Sequence, residues 1–325
     1  GGPISGGVGF ARAGAGTITL NGSNTVSGTL TANGGGTLNL GGINSIAGNF
    51  DIGAGSENNT LNVTGGGKLR GGAGIALYVG NSTFGGNRVN VSTPGNSGSM
   101  SLRAYHLALG ASSSDNEVHI SNGAYYGVLA SGNGAWNIGV NAGADNNRLI
   151  ITGDGSIVTR TGSQGSGIQT GVAGNGNCIR VLAGGYLLPL RLSSIGANGG
   201  DNNYVLISGS GTSPSTYDGA SYGQTGFQIG ASANATGNSF RVENGGRAIN
   251  VGSAANQTSR DFTIGYGAGA KGNYLRITGA GSTMNVTMTN PLGIGGKITG
   301  GSATPTIDDS TMPDGNHCDV FSDGT

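Results

Sequence analysis

The groups in this chain that could do chemistry are fifteen Asp and Glu, three His and two Cys in 325 residues. A hydrolase or lyase needs two carboxylates, or a carboxylate and a base, gathered on one exposed strip. Two phrases recur along the chain. At the outward position of the first stand Asp51, Tyr78, Ala108, Asn137, Gln169, Ser194, Gln228, Thr263 and Gly293, with Asp51 the single acid. The outward positions of the second include Arg88, Glu117, His119, Arg148, Arg180, Arg241 and Arg276, again with one acid. Neither set is a catalytic strip, and the chain is not expected to be an enzyme.

Turns at Asp115-Asn116, Asp145-Asn146-Asn147 and Asp201-Asn202-Asn203 carry the ligand types calcium prefers. They lack the nonapeptide spacing of calcium-binding β-rolls, and a plain Asx turn is the favoured reading. His106, His119 and His317 are scattered, and Cys178 and Cys318 fit no metal or redox spacing. His317 and Cys318 lie in an acidic tail, which reads first as a solvated terminal segment or docking tail and only second as a metal candidate. Gly293-Ile294-Gly295-Gly296-Lys297-Ile298 departs from a phosphate loop at Pro291 and Ile298. No catalytic, cofactor-binding or metal residue is therefore assigned, and no cofactor is expected.

The elements that position these groups are set by composition. With 71 Gly, 7 Pro, one Trp and 9% charged residues, the chain is turn-dense, yet Gly does not fall at every third place as in collagen. Val, Ile, Leu and Phe recur at fixed places, which argues against disorder. No apolar run is long enough to span a membrane as a helix. The opening Gly-Gly-Pro, without Met or leader, reads as a processed or trimmed product.

The first phrase is apolar, any, apolar, Gly, as in Trp136-Asn137-Ile138-Gly139. Its Gly recurs at Gly53, Gly80, Gly110, Gly139, Gly171, Gly196, Gly230, Gly265 and Gly295, at intervals of roughly 30 residues, which describes the coils of a solenoid. The leading apolar position is Phe50, Leu77, Leu107, Trp136, Ile168, Ser193, Phe227, Phe262 and Leu292, apolar in all but one coil. The second phrase opens on Asn59, Asn87, Asn116, Asn147, Asn177, Asn203, Asn238 and Asn273, with apolar residues two and four places on. Period two turns Leu61 and Val63, Val118 and Ile120, Leu149 and Ile151, Ile179 and Val181, Leu275 and Ile277, and their counterparts, to one inner face. An Asn amide both donates and accepts, so the eight predict a ladder stacked at the strand spacing of about 4.8 Å.

A third strand per coil follows the Gly corners at Lys68-Leu69, Tyr186-Leu187-Leu188 and Arg247-Ala248-Ile249. The expected fold is all-β, a single-stranded parallel β-helix of roughly triangular section, with about nine main coils making a rod of about 43 Å. Residues 1–50 form short N-terminal turns, 51–300 the main helix and 301–325 a tail or cap.

Residues 16–42 contain Gly16-Thr17-Ile18-Thr19-Leu20-Asn21-Gly22-Ser23-Asn24-Thr25 and Gly34-Gly35-Gly36-Thr37-Leu38-Asn39-Leu40. This stretch resembles the autotransporter-associated β-strand repeat. The resemblance implies a secreted or surface-displayed right-handed β-helix.

Charge is zero overall but uneven: residues 1–300 carry all fifteen Lys and Arg with ten acids, while the tail holds Asp308, Asp309, Asp314, Asp319 and Asp323. Head-to-tail docking into a homo-oligomer or filament through the solenoid ends is one expectation. A second contact is a lateral face at Ile150, Tyr204, Leu206 and Tyr274, apolar or aromatic where neighbours are polar. Thr17, Thr19, Thr29, Thr31 and Thr37 make a short Thr patch, too brief for an ice-binding array. Neutral charge argues against nucleic acid. The reading favoured is a non-enzymatic structural or adhesive protein, extracellular or at the cell surface. The alternative is a trimeric, carbohydrate-binding or carbohydrate-cleaving β-helix of the tailspike or lyase kind, with Tyr217, Tyr222 and Phe227 in a sugar-stacking loop and surface glycans as partners.

Overall fold

The computed structural model describes residues 3–96, 99–129, 136–161, 167–188, 192–209, 212–219, 227–251, 262–265, 268–286, 292–294 and 315–320. Among them the chain forms three parallel sheets of eleven strands each. Every coil adds one strand to each sheet in turn, so strands adjacent in a sheet are three apart in the chain. This is the parallel β-solenoid with three faces that the two-phrase repeat predicts. Eleven rungs at about 4.8 Å give a rod of about 50 Å.

Sheet I holds the third strand of each coil, including Lys68–Gly71, Tyr186–Leu188 and Arg247–Val251. Sheet II is built from the first phrase, as at Trp136–Ile138 and Phe227–Ile229. The second phrase makes sheet III, for example Arg148–Thr152 and Cys178–Leu182. Sheets are continuous across residue 50: Phe50–Ile52 pairs with Leu30–Ala32 on one side and Ala76–Val79 on the other.

Alternation puts one face of every strand inside. Fifteen of the sixteen residues expected to line the inner face of sheet III are buried; Ile277, near the end of the stack, is half-buried. A fully buried Val, Leu, Ile or Phe contributes roughly 1.5–3 kcal/mol, so these rows hold the rod together without any disulfide. Both cysteines are free thiols. Cys318 faces the core beside Leu275, whereas Cys178 lies on the opposite face of sheet III.

The exception in the sheet II row has a local cause. Ile168 pairs with Leu192 and Gln169 with Ser194, so Ser193 is the extra residue of a β-bulge and Leu192 takes the aligned place. Tyr217, expected on a sugar-stacking loop, is a core residue instead, 3% exposed, and Phe227, offered to the same loop, keeps the inward place that the first phrase gives it, 2% exposed. Tyr217 stands in register with Leu187 and the small Ala248, and its ring fills that gap edge-on to Phe240 at 5.5 Å. Phe240 meets Phe227, and Phe227 meets Phe262 at 5.0 Å. Tyr222 lies outside the described residues.

Candidate functional site

The eight predicted asparagines form one continuous buried column. The Nδ2 of Asn59 donates to Oδ1 of Asn87 at 2.8 Å, and the bond repeats to Asn116, Asn147, Asn177, Asn203, Asn238 and Asn273 at 2.8–3.1 Å. Each Oδ1 also accepts the backbone N–H of the Asn one rung earlier, as from Asn116 to Asn147 at 3.0 Å. The column extends to a ninth member that the repeat reading did not include: Asn273 donates to Asn316 at 3.0 Å. Residues preceding the ladder positions sit at positive φ, among them Asn58, Asp115, Asn146 and Asn202, so the Asp and Asn doublets build the left-handed turn that aims the next amide inward.

The carboxylates of Asp145 and Asp201 are engaged with backbone. Asp145 Oδ1 accepts from the Asn175 N–H at 2.7 Å, Asn175 Oδ1 from Asp201 and Asp201 Oδ1 from Thr236. They tie one turn to the next. No group of three His, Cys, Asp or Glu side chains suited to a metal occurs among the described residues.

At the N-terminal end of the column the first two coils have no ladder Asn. Arg12, 1% exposed, fills that place: its guanidinium donates to the carbonyls of Asn33 (2.7 Å), Gly16 (3.0 Å) and Gly14, and lies 3.3 Å from Asn59 Oδ1. A Cβ on Gly36 would overlap its Nη2, so the small residue there makes room for it. Replacing Arg12 by Met is expected to leave these carbonyls without their donor and to cost about 2 kcal/mol. The loss should be local: amide exchange accelerates in residues 10–40 and not beyond residue 100, and protection unchanged in residues 10–40 would contradict the capping role.

Two shorter ladders also went unread in the sequence. Asn24 donates to Asn44 at 2.7 Å on the inner side of sheet I, and Asn90, Asn62 and Asn39 chain together on the outer side of sheet III at 2.8 Å. The expected Thr patch is divided: Thr17, Thr19 and Thr37 lie in sheet III and Thr31 in sheet II, with Thr29 outside a strand.

Outside the core, the outer face of sheet III carries the densest set of interacting side chains. Ile150, Arg180, Leu206 and Arg241 stand in one register column, with Arg148, Cys178 and Tyr204 in the column beside it. The predicted contact residues Ile150, Tyr204, Leu206 and Tyr274 are all here and all half-buried. The arginines lie over them. The Arg241 guanidinium covers the Tyr204 ring at 4.6 Å, and that of Arg276 covers Tyr274 at 5.1 Å. Burial, with the neighbouring Cys178 thiol, pushes the Tyr204 phenol up to about 12. Tyr274 stacks against the His317 ring on the next rung, and Arg276 meets Asp319 at 3.2 Å.

Asp319 is thus part of the solenoid, in the strand His317–Val320 that closes sheet III, and not in a free acidic tail. Asp308, Asp309, Asp314 and Asp323 lie outside the described residues.

A second outer feature is a groove of about 520 Å³ on sheet I, floored by Tyr125, Ile157, Tyr186, Leu188 and Ile249. Tyr186 donates to Asp218 Oδ2 at 2.6 Å, and Asp154 clamps its rim by accepting the Thr212 and Ser213 N–H groups. The Thr159 hydroxyl is 2% exposed and lies beside the Tyr125 phenol.

Comparison with family models, curated proteins and solved structures gives no match. The two outer faces therefore have to be interpreted from their own chemistry.

The outward row of sheet II contains a departure from expectation. Ser194 and Thr263 keep their outward register but are 4% and 0% exposed, so this face is covered at those rungs. Asp51, in the same row, is half-buried, and desolvation raises its carboxyl above the ordinary range.

Proposed function

We propose that this chain is a non-enzymatic structural or adhesive protein, displayed outside the cell, whose solenoid acts as a stiff rod that joins other copies end to end. One observation carries this reading: three sheets run through the described rungs and an internal amide ladder runs without a break from Asn59 to Asn316, while outer polar side chains such as Glu117 and Asp145 engage neighbours within the stack. Such a body resists bending and offers strand edges at its ends. The strands Ser5–Gly6, Phe10–Arg12 and Thr17–Leu20 each pair on one side only, and Val8 and Ile18 are exposed beside them. Those backbone groups suit a further rung, whichever chain supplies it. The resemblance of residues 16–42 to the autotransporter-associated repeat supports display at a surface.

Negative-stain electron microscopy and light scattering at low and high salt test this reading. Rods lengthening in multiples of the monomer are expected; dispersed monomers under every condition would remove the end-to-end assembly.

A second reading, a carbohydrate-engaging β-helix, draws on the sheet I groove, whose apolar floor, two phenols and Asp218 carboxylate suit a short saccharide. A glycan array with a reducing-sugar assay separates the two. Turnover is incompatible with a passive rod, and a trimeric mass favours the second.

A further inference from the structure

The arginines of sheet III have a charge surplus that the fold does not resolve. Its outer strands hold Arg88, Arg148, Arg180, Arg241 and Arg276 against Glu117, Glu243 and Asp319, in a chain of zero net charge. Glu117 is shared, 3.8 Å from Arg88 and 3.4 Å from Arg148. Glu243 reaches Arg241 only at 4.0 Å. Arg180, between the apolar Ile150 and Leu206, has no acidic partner among the described residues. The Nε atoms of Arg148, Arg180 and Arg241 are buried and make no hydrogen bond among the described residues. Like charges this close in a sheet repel, so a counterion supplied from outside would relieve the strip.

Geometry narrows what that counterion is. The pairings that carry these residues show no register shift from Arg88 to Asp319, so the cations lie in two adjacent columns parallel to the rod axis, Arg88 and Arg148 in one and Arg180, Arg241 and Arg276 in the other, at multiples of about 4.8 Å along it. Arg180 and Arg241 are two rungs apart, about 10 Å. A linear polymer with anions at regular intervals along its length matches a narrow two-column strip of this kind. Half-buried Ile150, Leu182 and Leu206 between the charges offer shallow apolar seats for the C–H faces of sugar rings. Single-stranded nucleic acid would need open aromatic faces for base stacking. Here Tyr204 lies under Arg241, and Tyr274 is engaged by Arg276 and His317.

We propose that the Arg148–Arg180–Arg241 strip on the outer face of sheet III binds a linear anionic polysaccharide, uronate- or sulfate-bearing, laid along the solenoid axis. This deepens the adhesive reading and rests on it, since it supplies the surface to which a rod would adhere.

The test uses the whole chain with polygalacturonate, heparin, neutral dextran and poly(dT) as probes, followed by biolayer interferometry over a salt series. Binding to one or both acidic glycans and not to dextran is expected, with affinity falling as salt rises. Arg180→Gln should weaken it about tenfold, and Arg148→Gln/Arg180→Gln/Arg241→Gln should reduce the slope of log affinity against log salt by about one for each cation removed, as counterion release requires. Arg70→Gln, in sheet I, should bind as the parent does. Carboxylate and sulfate sources are told apart by which of the two glycans binds more tightly. The proposal is overturned if a folded chain ignores both glycans at low salt, if the triple variant binds unchanged, or if poly(dT) binds more tightly than either. Binding by rods that stay monomeric, or with release of reducing ends, leaves this site standing while removing the assembly or the passive-rod reading respectively.

Discussion

Asn147→Ala should destabilise the protein by about 3 kcal/mol or more, although it removes only one amide from a 325-residue chain. The Asn147 Oδ1 accepts both the backbone N–H of Asn116 (3.0 Å) and its Nδ2 (2.8 Å), and its own Nδ2 donates to Asn177 Oδ1 and the Ser113 carbonyl, each at 3.0 Å. Truncation orphans the Asn116 backbone N–H in a place with no water access, and opens a small void. An unmet buried donor alone costs about 1–3 kcal/mol, and the void and the broken column add to it. Denaturant unfolding measures the total, and exchange of the Asn116 amide reports the site; a loss below about 1 kcal/mol with that amide still protected would refute the ladder as a stabilising element.

Asn147→Asp makes a sharper companion. It keeps an acceptor for Asn116 but sets a second oxygen against Asn177 Oδ1, where a donor is required. A carboxyl there has its folded-state pKa raised by burial and by that oxygen. The destabilisation is therefore complete at neutral pH and recedes as pH falls through the folded-state value, the opposite of the acid sensitivity expected of a salt-bridged Asp.

Gly139→Ala should be as damaging, for a reason invisible in the glycine itself. Gly139 has φ +67°, and a Cβ built there would lie 2.1 Å from Nδ2 of Asn177. Left-handed backbone costs an Ala about 1–2 kcal/mol; the collision must also push Asn177 out of the column, bringing the sum to about 4 kcal/mol. Gly143→Ala separates the two contributions, because Gly143 has φ +80° and nothing within 4 Å of the added carbon. It should cost the backbone part alone. In an Asn177→Ala background the penalty of Gly139→Ala should shrink toward that same value, and equal penalties in both backgrounds would show that the amide contact is irrelevant.

The glycine experiment also marks the limit of sequence reading. The Gly row and the Asn row are each plain in the repeat, at roughly 30-residue steps. That they touch is not, because Gly139 packs on the Asn of the following coil, Asn177, and the same contact joins Gly53 to Asn87, Gly110 to Asn147 and Gly171 to Asn203. A contact between residues one coil apart leaves no local signature. The ninth amide, Asn316, was hidden similarly: the step from Asn273 is longer than the others, and acidic neighbours gave it the look of a solvated tail.

For the outer faces the balance reverses. Which residues point outward follows from period two, so Arg148, Arg180, Arg241, Ile150, Tyr204 and Leu206 were assigned to one side from the sequence. Their pairing was not. Arg241 covering Tyr204, Glu117 divided between two arginines and Arg180 left without a carboxylate among the described residues depend on which side chain stands on the adjoining rung.

Residue alternation and repeat length by themselves determined a three-faced parallel solenoid, its inner rows and its main amide column, because inward and outward positions are set by the pleat of each strand. Only the tertiary structure decided register: the bulge that moves Leu192 into line, the Tyr217 ring drawn into the core above Ala248, and the buried Arg12 that ends the column. Register belongs to contacts between coils, whose sequence separation varies with every loop.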